Sequence, residues 1–253
     1  NVTTKGSSMS TGVEGFAYGK DDSNNPRWVA VGNDSTAYGN IMWSDNGSCW
    51  VSTTEGDSFS ANGNKVAYAN NRWVAVGNDS TSQGNIMWSD NGSCWVKTLE
   101  GDSFSSSGDA VAYGNDLWVA VGDDSTAYGN IMWSNSTKNG TCWVKTSEGD
   151  SFSSSGNAVA YGSGRWVAVG NDSTSWGNIM WSTDGTCWVK TSTGDSFSNR
   201  GYGVDYRDGL WVATGDDSTA YGNVMWSTSG TCWVKTSSGD NFATLGNAVA
   251  AKL

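Results

Sequence analysis

Apolar residues along this chain come in short runs divided by polar turns. Between positions 65 and 98 the runs are Lys65-Val66-Ala67-Tyr68, Arg72-Trp73-Val74-Ala75-Val76, Ile86-Met87-Trp88 and Cys94-Trp95-Val96-Lys97-Thr98. Ala69-Asn70-Asn71, residues 77–85 and Ser89-Asp90-Asn91-Gly92 divide them. The runs are rich in β-formers, so the pattern predicts four strands in about 45 residues. They are apolar on both faces rather than strictly alternating, which is the pattern of strands covered on both sides.

That unit is written five times. WVAVGNDSTAYGNIMWS starts at Trp28 and returns from Trp73, Trp118, Trp166 and Trp211, with twelve of its seventeen positions invariant. The spacings are 45, 45, 48 and 45 residues, the longer one reflecting an insertion around Ser136-Thr137-Lys138. A period of this length means a solenoid, a propeller or an array. One four-stranded sheet cannot cover both its faces, but five around an axis cover one another. The predicted fold is therefore all-β, a five-bladed β-propeller of four-stranded antiparallel blades. A parallel β-helix fits less well, because its turns are shorter and its strands are not hairpin-linked. The repeat runs through residues 1–253 without a linker, which predicts a single domain. Residues 1–18 fall in register with 234–251, so pairing of the N- and C-terminal segments is expected to close the ring.

Composition adds constraints. There are 16 Trp, 34 Gly and one Pro. Three Trp per repeat, at strand positions, are expected in the core between blades; each buries on the order of 150–250 Å². The net charge of −11 and only 14 scattered Lys and Arg argue against a nucleic-acid partner. No run of about 18 apolar residues predicts a membrane span, and the first residues carry no basic, apolar leader. Histidine is absent, which removes the usual general base and any Ser-His or Cys-His nucleophile pair. The five cysteines, Cys49, Cys94, Cys142, Cys187 and Cys232, occupy one equivalent position each. Equivalent positions of separate repeats lie too far apart for a disulfide, so free, buried thiols are expected.

The turn between third and fourth strands carries a family likeness. Ser182-Thr183-Asp184-Gly185-Thr186-Cys187-Trp188 resembles the Asp-box, the S-x-D-x-G-x-T-W turn of bacterial neuraminidase repeats. Ser44-Asp45-Asn46-Gly47-Ser48-Cys49-Trp50 is similar, with Asp and Asn exchanged by one place, and the fifth copy has Ser229 where Asp184 stands. The resemblance implies a propeller in which this turn is structural. It does not carry sialidase activity over, since that would need converging arginines and a Tyr/Glu pair. Arg27, Arg72 and Arg165 sit at one equivalent position, replaced by Leu117 and Leu210 in the other copies. In architecture alone the chain is similar to five-bladed propeller lectins.

Two repeated acidic loops are expected to share one end of the propeller. The first reads [ND]-D-S-T-x-x-G-N and the second G-D-[SN]-F, with Asp57, Asp102, Asp150, Asp195 and Asp240. In the first loop a mostly aromatic position varies inside constant surroundings. An aromatic face packs on the apolar face of a sugar ring, while Asp and Asn hydrogen-bond its hydroxyls. The candidate carbohydrate-binding residues are Asp34, Tyr38 and Asn40; Asp79, Gln83 and Asn85; Asp124, Tyr128 and Asn130; Asp172, Trp176 and Asn178; and Asp217, Tyr221 and Asn223. The reading is a non-catalytic, multivalent, lectin-like propeller acting on glycans or a glycosylated surface, outside the cell or at its surface, as a monomer or small homo-oligomer. No cofactor is required, though clustered oxygens could take calcium as an accessory. The alternative is a structural or adhesion module whose loops cap themselves. A glycoside hydrolase needs two differently tuned acids, which near-identical copies do not offer. The main departure from symmetry, containing Arg200, Asp205 and Arg207, would be the place for a unique site.

Overall fold

Each of the five sequence repeats forms the same antiparallel meander in the computed structural model, which describes residues 6–53, 55–126, 128–218, 222–237, 246, 247 and 249. In the second repeat the strands are Asn62–Ala69, Arg72–Asn78, Ile86–Ser89 and Cys94–Lys97. First pairs with second, second with third and third with fourth, in a register that places Tyr68 beside Trp73 and Trp73 beside Ser89. A bulge interrupts the first pairing between Gly63 and Lys65, and it recurs at the same place in the other repeats. The short hairpin turns follow from residues that tolerate left-handed backbone: Asn70 and Asn71 have φ of 48° and 54°, Ser163 and Gly164 49° and 72°.

The handover between repeats was not visible in the hydropathy pattern. After its fourth strand the chain does not pass straight to the next first strand. Glu55–Gly56 first pairs in parallel with Cys94–Trp95, at the outer edge of the following repeat. Glu100–Gly101, Glu148–Gly149 and Thr193–Gly194 do the same. Asp57 then fastens the crossing: its N–H donates to the Trp95 carbonyl at 2.7 Å, and its carboxylate accepts from the Lys97 N–H at 2.9 Å. Glycine is required at the crossing, because Gly56 has φ +81° and a Cβ there would lie 2.4 Å from the Trp95 carbonyl.

Four apolar clusters, one for each pair of neighbouring repeats, form the core. One side of each of the first four repeats, here called its front, presents two second-strand aliphatics and a third-strand isoleucine (Val29, Val31 and Ile41 in the first). The back of the following repeat answers with Phe59, Val66, Trp73, Ala75, Met87 and Trp95. Trp73, Trp118, Trp166 and Trp211, with Trp95, Trp143, Trp188 and Trp233, are fully buried. The third tryptophan of a repeat lies at the margin of the core, Trp43, Trp133 and Trp181 packing against the apolar clusters without being fully buried. Trp43, Trp88, Trp133 and Trp181 are half-buried and Trp226 is exposed. Arg27, Arg72 and Arg165 lay their guanidinium groups over three of them at 4.3, 4.5 and 4.7 Å.

The strands gather into three curled sheets, because single bridges (Asn33 to Asn62, and Asp123 to Ser155) join the repeats in pairs. The fold is all-β with curled sheets, and none of the three sheets closes on itself. Among the described residues no strand pairing links the first repeat to the fifth. The expected pairing of the chain's two ends involves residues 1–5 and most of 238–253, which lie outside the described residues. The cysteines are free, as expected, but not buried. Cys187 and Cys232 are exposed and the other three half-buried.

Candidate functional site

The two acidic loops do meet. Ser60, from the handover segment, donates its N–H to Asp79 Oδ2 at 3.0 Å, and its hydroxyl accepts from the Ser80 N–H at 2.6 Å. The same contacts recur between Ser105 and Asp124, Ser153 and Asp172, and Ser198 and Asp217. Asp34 accepts from Ser10 N–H at 2.8 Å.

What the loop aspartates do there is structural. Asp79 is buried, and its Oδ1 accepts from Thr81 N–H at 2.9 Å, Thr81 hydroxyl at 2.8 Å and the Lys97 ammonium at 3.1 Å. Together with Ser60 that makes four donors, and a carboxylate offers about four acceptor positions. Asp124 and Asp172 repeat the set with Lys145 and Lys190, and Lys235 pairs with Asp217. Burial works to raise the carboxyl of Asp79, but its hydrogen bonds to Thr81, Lys97 and Ser60 outweigh that, leaving its pKa below the ordinary value. Asp124 and Asp172 are depressed by the same balance. Among the described residues no cluster of three His, Cys, Asp or Glu side chains could hold a metal.

The asparagines are equally committed. Asn85 is fully buried, accepts from the Asp79 N–H at 2.6 Å and donates to the Phe104 carbonyl at 2.9 Å. Asn40, Asn130 and Asn178 make the same two bonds, and Asn223 accepts from Asp217 N–H. The loop glycine permits this: a Cβ at Gly84 would lie 2.4 Å from the Asp79 carboxyl carbon.

The variable position is the part that faces solvent. Tyr128 is 43% exposed, Trp176 46% exposed, and Gln83 is exposed as well. The side chain of Tyr38 and all of Tyr221 lie outside the described residues. Tyr128 stands at the mouth of a polar cleft of about 480 Å³ whose walls come from both loops. Ser125, Thr126 and Asp150 line it, and Lys190 of the following repeat closes one side. Tyr128 has φ +66°, so its ring is carried on left-handed backbone, where a non-glycine residue is uncommon. Sequence reasoning put the sugar contacts on Asp and Asn as well as on the aromatics. Lys190 is a wall it did not include; its only signal was the W-V-K that ends four of the five repeats.

The remaining candidates do not converge. The turn resembling an Asp-box is a self-closed cap: Asp184 Oδ1 accepts from Thr186 and Cys187 N–H at 2.8 and 3.0 Å, and Ser182 Oγ from Gly185 N–H at 2.8 Å. Arg27 and Arg72 pair with Asp45 and Asp90 of their own turns. In the fifth repeat Arg207 pairs with neighbouring Asp208, and Arg200 lies over Tyr202 at 5.7 Å.

No known family profile matches the chain, and no curated protein matches it. Among solved structures it is similar to the computationally designed Ika8 protein, with 14% identity and a TM-score of 0.62, over 98% of this chain and 68% of that one. The computationally designed Ika4 protein shares 14% identity over 65% of this chain and 89% of its own, with a TM-score of 0.44. The first likeness is one of fold.

Proposed function

We propose that the five repeats are propeller blades and that the chain is a multivalent, non-catalytic carbohydrate-binding protein. One observation carries the reading. The most variable position of an otherwise nearly fixed loop holds an exposed aromatic ring at Tyr128 and Trp176, and at Tyr128 that ring borders a polar cleft. The buried Asp and Asn pairs serve as the rigid frame that presents it, so little ordering entropy opposes binding. The sugar ring stacks on Tyr128 or Trp176, while Ser125, Thr126, Asp150 and Lys190 bond its hydroxyls. Single sites of this kind are weak, and their repetition supplies avidity on a glycan-bearing surface outside the cell.

A second reading has its own support. Every buried loop carboxylate described with its full partner set is satisfied internally, as in a purely structural or adhesive module. An enzyme is less favoured, since the depressed loop carboxyls supply no proton donor for glycoside hydrolysis. Titration of the protein with a panel of monosaccharides and short glycans, read by tryptophan fluorescence and NMR, separates the readings. Binding that Trp176→Ala and Tyr128→Ala each weaken supports the lectin. No response at millimolar sugar favours the structural module.

A further inference from the structure

Each crossing between repeats ends on an aspartate of which the fold uses only half. Asp150 follows Glu148–Gly149, and its Oδ2 accepts from the Lys190 N–H at 2.8 Å. Asp57, Asp102 and Asp195 accept the same single bond, from the N–H groups of Lys97, Lys145 and Lys235. Among the described residues their other carboxylate oxygen, Oδ1, accepts no bond and meets no cation. An amide oxygen would serve those backbone N–H groups as well. Where only an acceptor is needed, this chain exchanges Asp and Asn: Asn46, Asn91 and Asp184 share one turn position. At the crossing all five copies, Asp240 included, are aspartate. The charge therefore has a use beyond the fold.

At Asp150 that charge opens into the cleft bordered by Tyr128. The other charges along its wall cancel, since Asp124 pairs with Lys145 at 3.2 Å and Lys190 with Asp172 at 3.1 Å. Asp150 leaves the cleft with one net negative charge, in a protein whose own net charge is −11. The cleft also holds an unmet hydroxyl. Ser151 Oγ is buried there without a partner, whereas its counterpart Ser103 donates to the Ser82 carbonyl. A buried hydroxyl left unpaired costs free energy that a ligand oxygen at that spot recovers.

We propose that this cleft prefers a sugar carrying a protonated amine, the 2-amino hexoses being the simplest; the proposal rests on the carbohydrate reading above. The ring stacks on Tyr128, its ammonium donates to Asp150 Oδ1 in a charge-assisted hydrogen bond, and a ring oxygen accepts from Ser151. Asp150 is half-buried rather than dry, so the ion pair supplies a selectivity of about fivefold and no large gain in affinity. A carboxylated sugar meets repulsion from the same oxygen. Repetition of the charge from crossing to crossing multiplies the preference on a polymer of amino sugars.

NMR titration of the intact protein with glucosamine, glucose, glucuronate and ethanolamine, followed at the amides of Ser125 and Lys190, reads this cleft alone. Glucosamine should bind about fivefold more tightly than glucose at low salt, and glucuronate more weakly than glucose. The preference should shrink in about 0.5 M salt, as screening requires. Asp150→Asn keeps the acceptor for the Lys190 N–H, so its circular dichroism should match the parent while glucosamine falls to the level of glucose. Glucosamine no tighter than glucose, glucuronate tighter than either, or ethanolamine as tight as glucosamine would each overturn the proposal. So would a folded Asp150→Asn protein that kept the preference. Glucose binding without any gain for the amine removes this proposal and leaves the carbohydrate reading standing; silence from all three sugars removes both.

Discussion

Asp109 offers a sharp test of how neighbouring repeats are joined. It occupies the bulge of its first strand, where the flanking repeats have asparagine. Asn64 donates its side-chain amide to the Gly108 carbonyl of the next repeat at 2.9 Å, and Asn157 to the Gly201 carbonyl at 2.7 Å. An ionised aspartate cannot donate the equivalent bond. Burial, helped by the charge of Asp123 and opposed by bonds from Ser107 and Asn64, pushes its pKa up to about 6. Against an ordinary value of about 4, that is roughly two pH units at about 1.4 kcal/mol each, or about 3 kcal/mol. The folded-state pKa is the higher one, so the contribution is fully present below about pH 4 and lost as pH rises through about 6. Asp109→Asn removes the ionisation and supplies the missing donor. At pH 7.5 it should stabilise the protein by about 2–4 kcal/mol, falling to about 1 kcal/mol, one added hydrogen bond, near pH 4. Urea denaturation of parent and variant, followed by tryptophan fluorescence between pH 4 and 7.5, measures the difference. A variant no more stable than the parent at pH 7.5, or a gain independent of pH, would refute the reasoning.

Three further outcomes follow from the geometry. Asp172→Ala strips four donors of one buried acceptor and should cost about 2–4 kcal/mol in chemical denaturation. In the parent, the depressed pKa of Asp172 adds stability that is present above about pH 4 and is lost as pH falls through the lower folded value, measurable as acid unfolding that Asp172→Asn blunts. Trp118→Ala, fully buried, should cost about 3–5 kcal/mol, while Trp28→Ala at the equivalent half-buried position should cost clearly less; thermal denaturation compares them. Gly101→Ala, at φ +82° and with its new Cβ 2.3 Å from the Trp143 carbonyl, should loosen the handover from the second repeat to the third, read as faster amide exchange at Asp102 and Lys145.

The four meander strands of each repeat, their hairpin order and the tryptophans of the second and fourth strands were legible in the residues, because side-chain period and turn chemistry act over a few neighbours. Trp43 and its counterparts share the face of core residues such as Val29, but they are only partly buried, and the arginine laid over Trp43 could not be read from apolar character alone. The two acidic loops were expected at one end and do meet, but the donors that surround the buried loop aspartates could not be read from the sequence. A buried, fully bonded Asp and an exposed, free one share the same letter.

By itself, then, the sequence determined a five-fold all-β unit and its self-capping turns, since those depend on local backbone preference and short-range hydrogen bonds. Tertiary structure decided the rest. The parallel crossing of Glu55–Gly56 onto the next repeat and the saturation of Asp79 by donors that include Ser60 and Lys97 depend on residues far apart in the chain. Near-copies of one segment acquire different burial according to which long-range neighbours, among the described residues, pack against them.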